Sequence, residues 1–268
     1  MPELPEVETV RRQLAPAMEH ARFDEVTLRR RDLREPFPRR FRERLLGQTA
    51  LSVDRRAKYL LVPLSSGETL LMHLGMTGSF RVEDGGTVPH DHVVFHMSSG
   101  AVVTFNDPRR FGLMDIVPIG ELETHPALSQ LGPEPLSAAF DGYALARACR
   151  GRRTPLKLAL LDQRVVAGLG NIYASEALHV AGLSPQRQAS SIATASGLPR
   201  PPAHRLAAAI RKVLEEAIAR AARDDYRSWR FRVYDREAER CRRPRCAGTI
   251  RRRTQGGRST FYCATCQR

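Results

Sequence analysis

The sequence predicts an α+β fold in which one helix leads a set of antiparallel strands and a helical half follows. Three observations predict it: an amphipathic opening segment, a series of short apolar stretches broken by turns, and a change to helical period after about Pro133. The opening helix runs from about Pro5 to Met18, with Val7, Val10, Arg11 and Leu14 at helical spacing. The short stretches are Thr49–Val53, Tyr59–Leu64, Thr69–Leu74, Phe80–Val82, His92–Met97, Ala101–Phe105 and Gly112–Val117. With Ser65-Ser66-Gly67 and Ser98-Ser99-Gly100 as turns, strands at this spacing build an antiparallel sandwich or barrel. The helical half holds Leu156–Leu161, Ile172–Ala181 and a stripe of Leu206, Ile210, Val213, Leu214, Ala217 and Ile218. Between the halves, residues 120–135 contain Pro126, Gly132, Pro133 and Pro135 and are expected to join them, while residues 184–202 form a polar loop rich in Ser, Ala and Pro. No internal repeat is visible.

The 268 residues suffice for two domains, each burying its own core. Lysine and arginine number 43 against 29 acidic residues, a formal charge of +14, which favours a polyanionic partner such as nucleic acid. An anionic membrane would also attract this charge, but there is no long basic amphipathic helix with aromatic anchors. No run of about 18 apolar residues exists, and the N-terminus is acidic where a signal peptide would be basic, so a cytoplasmic protein is expected. Lys58, Lys157 and Lys212 are the only lysines, leaving 43 − 3 = 40 arginines. A GC-rich genome alone could impose that bias. If arginine serves wherever a plain positive charge suffices, the remaining lysines are candidates for tasks a guanidinium cannot perform, such as giving up a proton.

At the C-terminus, Cys241 and Cys246 (C-x4-C) are followed by Cys263 and Cys266 (C-x2-C). Two such pairs can close a tetrahedral four-thiolate site for one structural Zn2+. Two disulfides or free thiols are the alternative, set against a reducing compartment and a tail too poor in apolar residues to fold unaided. Cys149 is left over and reads as a small core residue. Between the pairs, Arg251 to Tyr262 reads as two strands around Gly256-Gly257, with Arg258 at the tip, where a zinc-pinned hairpin would hold it rigidly against DNA.

The segments MPELPEVETVRR, RRAKYLL, HLGMTGS, DPRRFG, GLGNIYASEAL and GRSTFYCxxCQ occur in this order across nearly the whole chain. Together they resemble the formamidopyrimidine-DNA glycosylase family, bacterial enzymes that excise oxidised purines. The opening MPELPE resembles that branch and not the endonuclease VIII branch of the superfamily. The resemblance implies an N-terminal helix plus antiparallel β-sandwich, then a helix-two-turns-helix domain ending in a zinc finger. The corresponding ranges are 1–120 for the catalytic sandwich, 121–135 for a linker, 136–235 for the helical domain and 236–268 for the finger. It also implies a monomer acting on double-stranded DNA that contains damaged bases or abasic sites, with no membrane partner.

The implied chemistry begins at Pro2, whose secondary amine is exposed once Met1 is removed. An α-amino group has a pKa of about 7.7–8.0, so part of it is unprotonated near neutrality. Attack on the sugar's anomeric carbon expels the base and leaves an iminium, which acidifies the adjacent C–H and permits strand cleavage by elimination. Outside this motif Pro2 would merely begin a helix. Glu3 would shuttle protons, and Lys58 and Arg258 match positions that assist at the sugar and flanking phosphates. A flipped base leaves a hole in the stack, and Met76, Arg109 and Phe111 match the trio that fills it. Gly168-Leu169-Gly170-Asn171 resembles the segment that offers helix-start N–H groups and the Asn171 amide to a phosphate. His73, His90, Arg153 and Lys157 sit where the family meets DNA backbone or lesion.

One departure from the family stands out. Its members usually carry a glycine-containing loop, between the last long helix and the finger, that closes over flipped 8-oxoguanine. Here that segment spans only about residues 224–240, no glycine occurs from Leu198 to Ala247, and Tyr226–Phe231 leads almost directly into the strand-like Arg232-Val233-Tyr234. A short or missing capping loop is expected. Ring-opened formamidopyrimidines and abasic sites should then be better substrates than 8-oxoguanine, with room for oxidised pyrimidines. Two rival readings remain: a non-catalytic family member that binds damaged DNA, and a basic zinc-ribbon protein bound to RNA, which would not account for the N-terminal motif.

Overall fold

Glu3 begins the first helix, α1 (Leu4–Met18), through a reciprocal capping box: its side chain accepts from the Glu6 backbone N–H while its own N–H donates to the Glu6 carboxylate at 2.8 Å. Leu4, Val7, Leu14, Ala17 and Met18 form the buried face, which is the helical spacing read from the sequence. The computed structural model describes residues 2–83, 86–221 and 231–268. They form two compact units, Met1–Ser129 and Gln130–Arg268.

In the first unit eight strands follow: β1 (Phe23–Leu28), β2 (Asp54–Arg56), β3 (Tyr59–Pro63), β4 (Thr69–His73), β5 (Ser79–Val82), β6 (Asp91–Met97), β7 (Val102–Asn106) and β8 (Leu113–Val117). They make two four-stranded antiparallel sheets, ordered β1-β6-β7-β5 and β2-β3-β4-β8. Phe23, Phe95 and Phe105 from one sheet and Leu60, Leu70 and Met114 from the other share a core with Val7, Leu14 and Met18 of α1. A short helix, α2 (Phe41–Leu45), buries Phe41 and Leu45. One expectation is corrected here, and one strand was not anticipated. Thr49–Val53 is no strand: Thr49 and Ala50 make isolated bridges, and pairing begins at Asp54, opposite Leu61. Ala50 and Val53 are apolar because they are buried, not because they belong to a ladder. β1 escaped the sequence pattern because a bulge between Phe23 and Glu25 breaks its alternation.

The second unit contains α3 (Gly142–Cys149), α4 (Leu156–Leu161), α5 (Asn171–Ala181) and α6 (Pro201–Ala221), then the hairpin β9 (Ile250–Gln255) and β10 (Arg258–Cys263). Asp141 caps α3 by accepting from Ala144 N–H at 2.8 Å. The predicted stripe of α6 is buried throughout, and two prolines start that helix, where their missing N–H groups cost nothing. Cys149 lies in the core, where burial pushes its thiol up to about 11, so it is an inert packing residue. Arg232-Val233-Tyr234, expected to be strand-like, forms a turn: all three N–H groups converge on the buried Glu176 carboxylate at 2.8 to 3.0 Å. The segment on which the short capping loop was argued lies partly in residues 222–230, outside the described residues. Among the described residues no helix is long and apolar enough to cross a membrane.

Candidate functional site

In the first unit, Pro2 stands half-buried just ahead of α1, beside Glu3, which is buried. The β2–β3 hairpin turns through Ala57 and Lys58, with Ala57 at a φ of 55° and Lys58 buried. These two sites are mechanically linked. Glu8 on α1 accepts from Arg55 Nε at 3.2 Å, and Arg55 Nη1 donates to the Ala57 carbonyl at 3.0 Å. Burial opposes ionisation of Glu8, yet hydrogen bonds from Arg11, Arg12 and Arg55 hold its carboxyl below the usual range.

His73 ends β4 opposite Tyr59, with ring centroids 4.8 Å apart. Burial first, then the charges of Lys58 and Arg34, push its pKa down to about 4, so the ring is neutral at pH 7. Its Nδ1 accepts from Gly75 N–H at 2.9 Å, which places the ring proton on Nε2 as a donor. Beyond His73, Met76 is 39% exposed and Phe111 41% exposed, both unusual for large apolar side chains. Arg109 lies 4.8 Å over the Phe111 ring. The loops carrying them touch backbone to backbone, since a Cβ on Gly75 would fall 2.3 Å from the Phe111 carbonyl carbon. His90 is exposed with a φ of 73°.

In the second unit, Gly168 takes a φ of 80° and Gly170 caps α5, so that Asn171 opens the helix. Gln163 shapes this loop, donating to the Leu169 carbonyl at 2.9 Å and accepting from Gly168 N–H at 2.9 Å. The Asn171 amide donates to the Ser259 carbonyl at 3.0 Å and accepts from Lys157 at 2.6 Å. Lys157 corrects the expectation that it meets DNA directly. It is 0% exposed, and its ammonium also donates to Ser259 O at 2.9 Å and Thr260 Oγ1 at 2.7 Å. Its charge is spent joining α4, α5 and β10. Gly256 and Gly257, at φ values of 54° and 71°, make the two-residue turn before the exposed Arg258. Arg153 is exposed.

The four C-terminal cysteines converge. Their sulfur atoms all lie within 4.8 Å of one another, with Cys241–Cys266 at 3.8 Å and Cys246–Cys263 at 3.7 Å. Thiolates at about 2.3 Å from a tetrahedral metal stand about 3.8 Å apart, so the set fits a four-thiolate metal centre. Arg243 N–H points at Cys241 Sγ at 3.4 Å, and a Cβ on Gly248 would fall 2.7 Å from Cys263 Sγ, so the knuckle has room only for glycine.

A family model for the formamidopyrimidine-DNA glycosylase N-terminal domain matches residues 1–114, and one for the formamidopyrimidine-DNA glycosylase H2TH domain matches residues 131–225. A formamidopyrimidine-DNA glycosylase of Azorhizobium caulinodans is 54% identical, with 100% of both chains covered. The chain belongs to the formamidopyrimidine-DNA glycosylase family. A further formamidopyrimidine-DNA glycosylase, from Rhodopseudomonas palustris, is 56% identical over 100% of both chains. Among solved structures, MutM (Fpg) from Thermus thermophilus is 40% identical with a TM-score of 0.83, covering 99% of this chain and 98% of that one. A structure of MutM in complex with carbocyclic 8-oxo-G containing DNA has a TM-score of 0.87 at 29% identity, with 100% of both chains covered.

Within this glycosylase-family framework, several residues at work in the site were not singled out from the sequence. Asp107 is fully buried between the exposed loops of the first unit. Glu8 and Arg55 couple the N-terminal helix to the Lys58 hairpin. Glu176 anchors the chain that follows the segment 222–230. His179 Nε2 lies 3.3 Å from Cys241 Sγ, and Arg243 donates to the His179 and Val180 carbonyls, tying α5 to the cysteine cluster. The acidic residue within DPRRFG was the one available signal, since a carboxylate between an apolar strand and an arginine pair invites the question of what it binds.

Proposed function

We propose that this chain is a bifunctional DNA glycosylase and AP lyase of base-excision repair, with the Pro2 amine, freed by removal of Met1, as its nucleophile. The observation that carries the reading is a proline at position 2, half-buried and immediately followed by the buried carboxyl of Glu3 at the head of α1. The amine bonds to the sugar's anomeric carbon, the glycosidic bond breaks, and the base departs with a proton relayed by Glu3. The ring oxygen is released as the iminium forms. A proton then leaves the neighbouring carbon and the 3′ phosphate departs; a second elimination releases the 5′ phosphate. Lys58 and Arg258 assist at the sugar and its phosphates.

Double-stranded DNA with damaged bases or abasic sites is the partner, in keeping with the +14 charge and with a solved relative, the Lactococcus lactis enzyme non-covalently bound to an AP site containing DNA, at a TM-score of 0.84 and 28% identity. Met76, Arg109 and Phe111 would occupy the space left by the flipped base. His73, His90, Arg153 and Asn171 would hold the backbone, His73 through its Nε2–H. Cys241, Cys246, Cys263 and Cys266 would bind one structural Zn2+, which takes no part in the chemistry and fixes the hairpin that carries Arg258.

Lesion choice follows from the glycine-free stretch Leu198–Ala247. Ring-opened formamidopyrimidines and abasic sites are the preferred substrates, above 8-oxoguanine. Borohydride trapping of the purified protein on matched duplexes tests both parts, because reduction freezes the iminium as a covalent adduct. Strong trapping on abasic and formamidopyrimidine duplexes with weak trapping on 8-oxoguanine opposite cytosine is expected. Equal trapping on 8-oxoguanine would overturn the lesion preference. No adduct on any duplex, with Met1 shown to be absent, would favour a binding protein that does not cut.

A further inference from the structure

Asp107 follows β7 and opens the turn Asp107-Pro108-Arg109-Arg110, which Arg110 N–H seals by donating to the Asp107 carbonyl at 3.2 Å. Its carboxylate is 0% exposed. One oxygen accepts from Thr77 Oγ1 at 2.6 Å and from Arg109 N–H at 3.3 Å; the other accepts from Gly112 N–H at 2.8 Å. Its backbone is equally committed, donating to the His90 carbonyl at 3.0 Å and lying 2.9 Å from His92 Nε2 through its own carbonyl. No ion pair to Asp107 exists among the described residues. Burying a carboxylate among neutral donors is costly and seldom seen where an apolar residue would serve.

What the carboxylate holds explains its presence. Thr77 follows Met76, Gly112 follows Phe111, and Arg109 is bound through its own N–H. Every member of the gap-filling trio is therefore bound to Asp107 directly or through its immediate neighbour. The glycines remove slack between the loops: a Cβ on Gly112 would fall 2.7 Å from the Phe105 ring and 3.2 Å from the Asp107 carboxylate, and one on Gly78 would fall 2.3 Å from the Leu74 carbonyl. We propose that Asp107 is the positioning residue of the base-flipping apparatus, its buried carboxylate setting the relative heights of Met76, Arg109 and Phe111. The proposal rests on the functional reading above, in which these three side chains replace the flipped base. An amide cannot take over the role fully, because it presents one acceptor where two are used and turns N–H groups toward existing donors.

Abasic single strands separate this role from general stability, since they contain no stack to open and no orphaned base to face. Lyase rates on single-stranded and duplex abasic DNA are compared for wild type, Asp107→Asn, Asp107→Ala and Thr77→Val. Asp107→Asn should lose about tenfold on the duplex, the size expected for one misplaced buried acceptor, with the single-strand rate nearly unchanged. Asp107→Ala should lose more, and Thr77→Val should show a smaller loss of the same kind. Discrimination between bases opposite the lesion should flatten in step, as Arg109 drifts. In the DNA-free protein, amide hydrogen exchange at Arg109 and Gly112 should quicken in Asp107→Asn while Leu71 and Phe105 stay protected. Wild-type duplex rates in Asp107→Asn, or losses equal on both substrates and tracking Tm, would overturn the proposal. If the wild-type protein cut neither substrate, the functional reading would fail, and unchanged exchange at Arg109 and Gly112 would then refute the latch itself.

Discussion

His73 shows how a single side chain is prepared for its task by position alone. Its Nδ1 is occupied by Gly75 N–H, and burial, reinforced by Lys58 and Arg34, lowers its pKa to about 4, so in the proposed DNA contact it would act as a neutral Nε2–H donor. The folded protein therefore resists protonating it, whereas the unfolded chain takes up a proton near the ordinary value of about 6.5. Stability from this source is fully present above pH 6.5 and is lost as pH falls toward 4. Denaturant unfolding at pH 7 and pH 5 should show a loss that is smaller by about 1–2 kcal/mol in His73→Asn, whose amide oxygen can still accept from Gly75, while His179, also lowered to about 4 by burial, contributes equally in both proteins. An equal loss in both proteins would place the effect elsewhere. The role proposed for His73 rests on its motif, as do those proposed for Pro2 and Glu3. Lys157 was misplaced for an instructive reason. Its partners Ser259 and Thr260 lie 102 and 103 positions away, and nothing local to Lys157 signals that its charge is consumed inside the protein.

At the scale of elements, the parts that announced themselves were those whose local chemistry dictates their shape. Gly256-Gly257 demands a tight hairpin, the helical spacing of Val7, Val10 and Leu14 demands an opening helix, and the stripe from Leu206 to Ile218 demands a buried helix face. Elements defined by partners were not legible. β1 carries Asp24 and Glu25 and a bulge, while Arg232-Val233-Tyr234 turns because Glu176 gathers its N–H groups. The cysteine hairpin combines both kinds, since its turn is local but its cohesion requires four sulfur atoms held together. Its apolar support is small, with Val233, Ile250 and Phe261 buried beside Cys241 and Cys263. Metal should therefore supply most of its stability. Elemental analysis should find one zinc per chain, and chelation should expose Arg251-Arg252-Arg253 to trypsin and weaken DNA binding by more than about tenfold, as expected for a small metal-dependent module. Metal-free protein that resists trypsin at these arginines would contradict this.

For the whole molecule, composition indicated a polyanion partner and periodicity indicated strands before helices, but neither distinguishes a nuclease, a repair enzyme or a ribbon protein bound to RNA. Ordered motifs carried the identification, and full-length similarity to formamidopyrimidine-DNA glycosylases bears it out. The proposed lesion preference was less legible, because it was read from a segment that includes residues 222–230, which lie outside the described residues. The proposed chemical step makes a sharper demand, since it requires a covalent bond to one particular nitrogen. The decisive measurement is peptide mapping of the borohydride-reduced adduct on an abasic duplex. The sugar should be found on the amino-terminal tryptic peptide, residues 2–11, attached at the Pro2 nitrogen. Attachment at Lys58 or any other lysine, with the Pro2 nitrogen unmodified, would contradict the account.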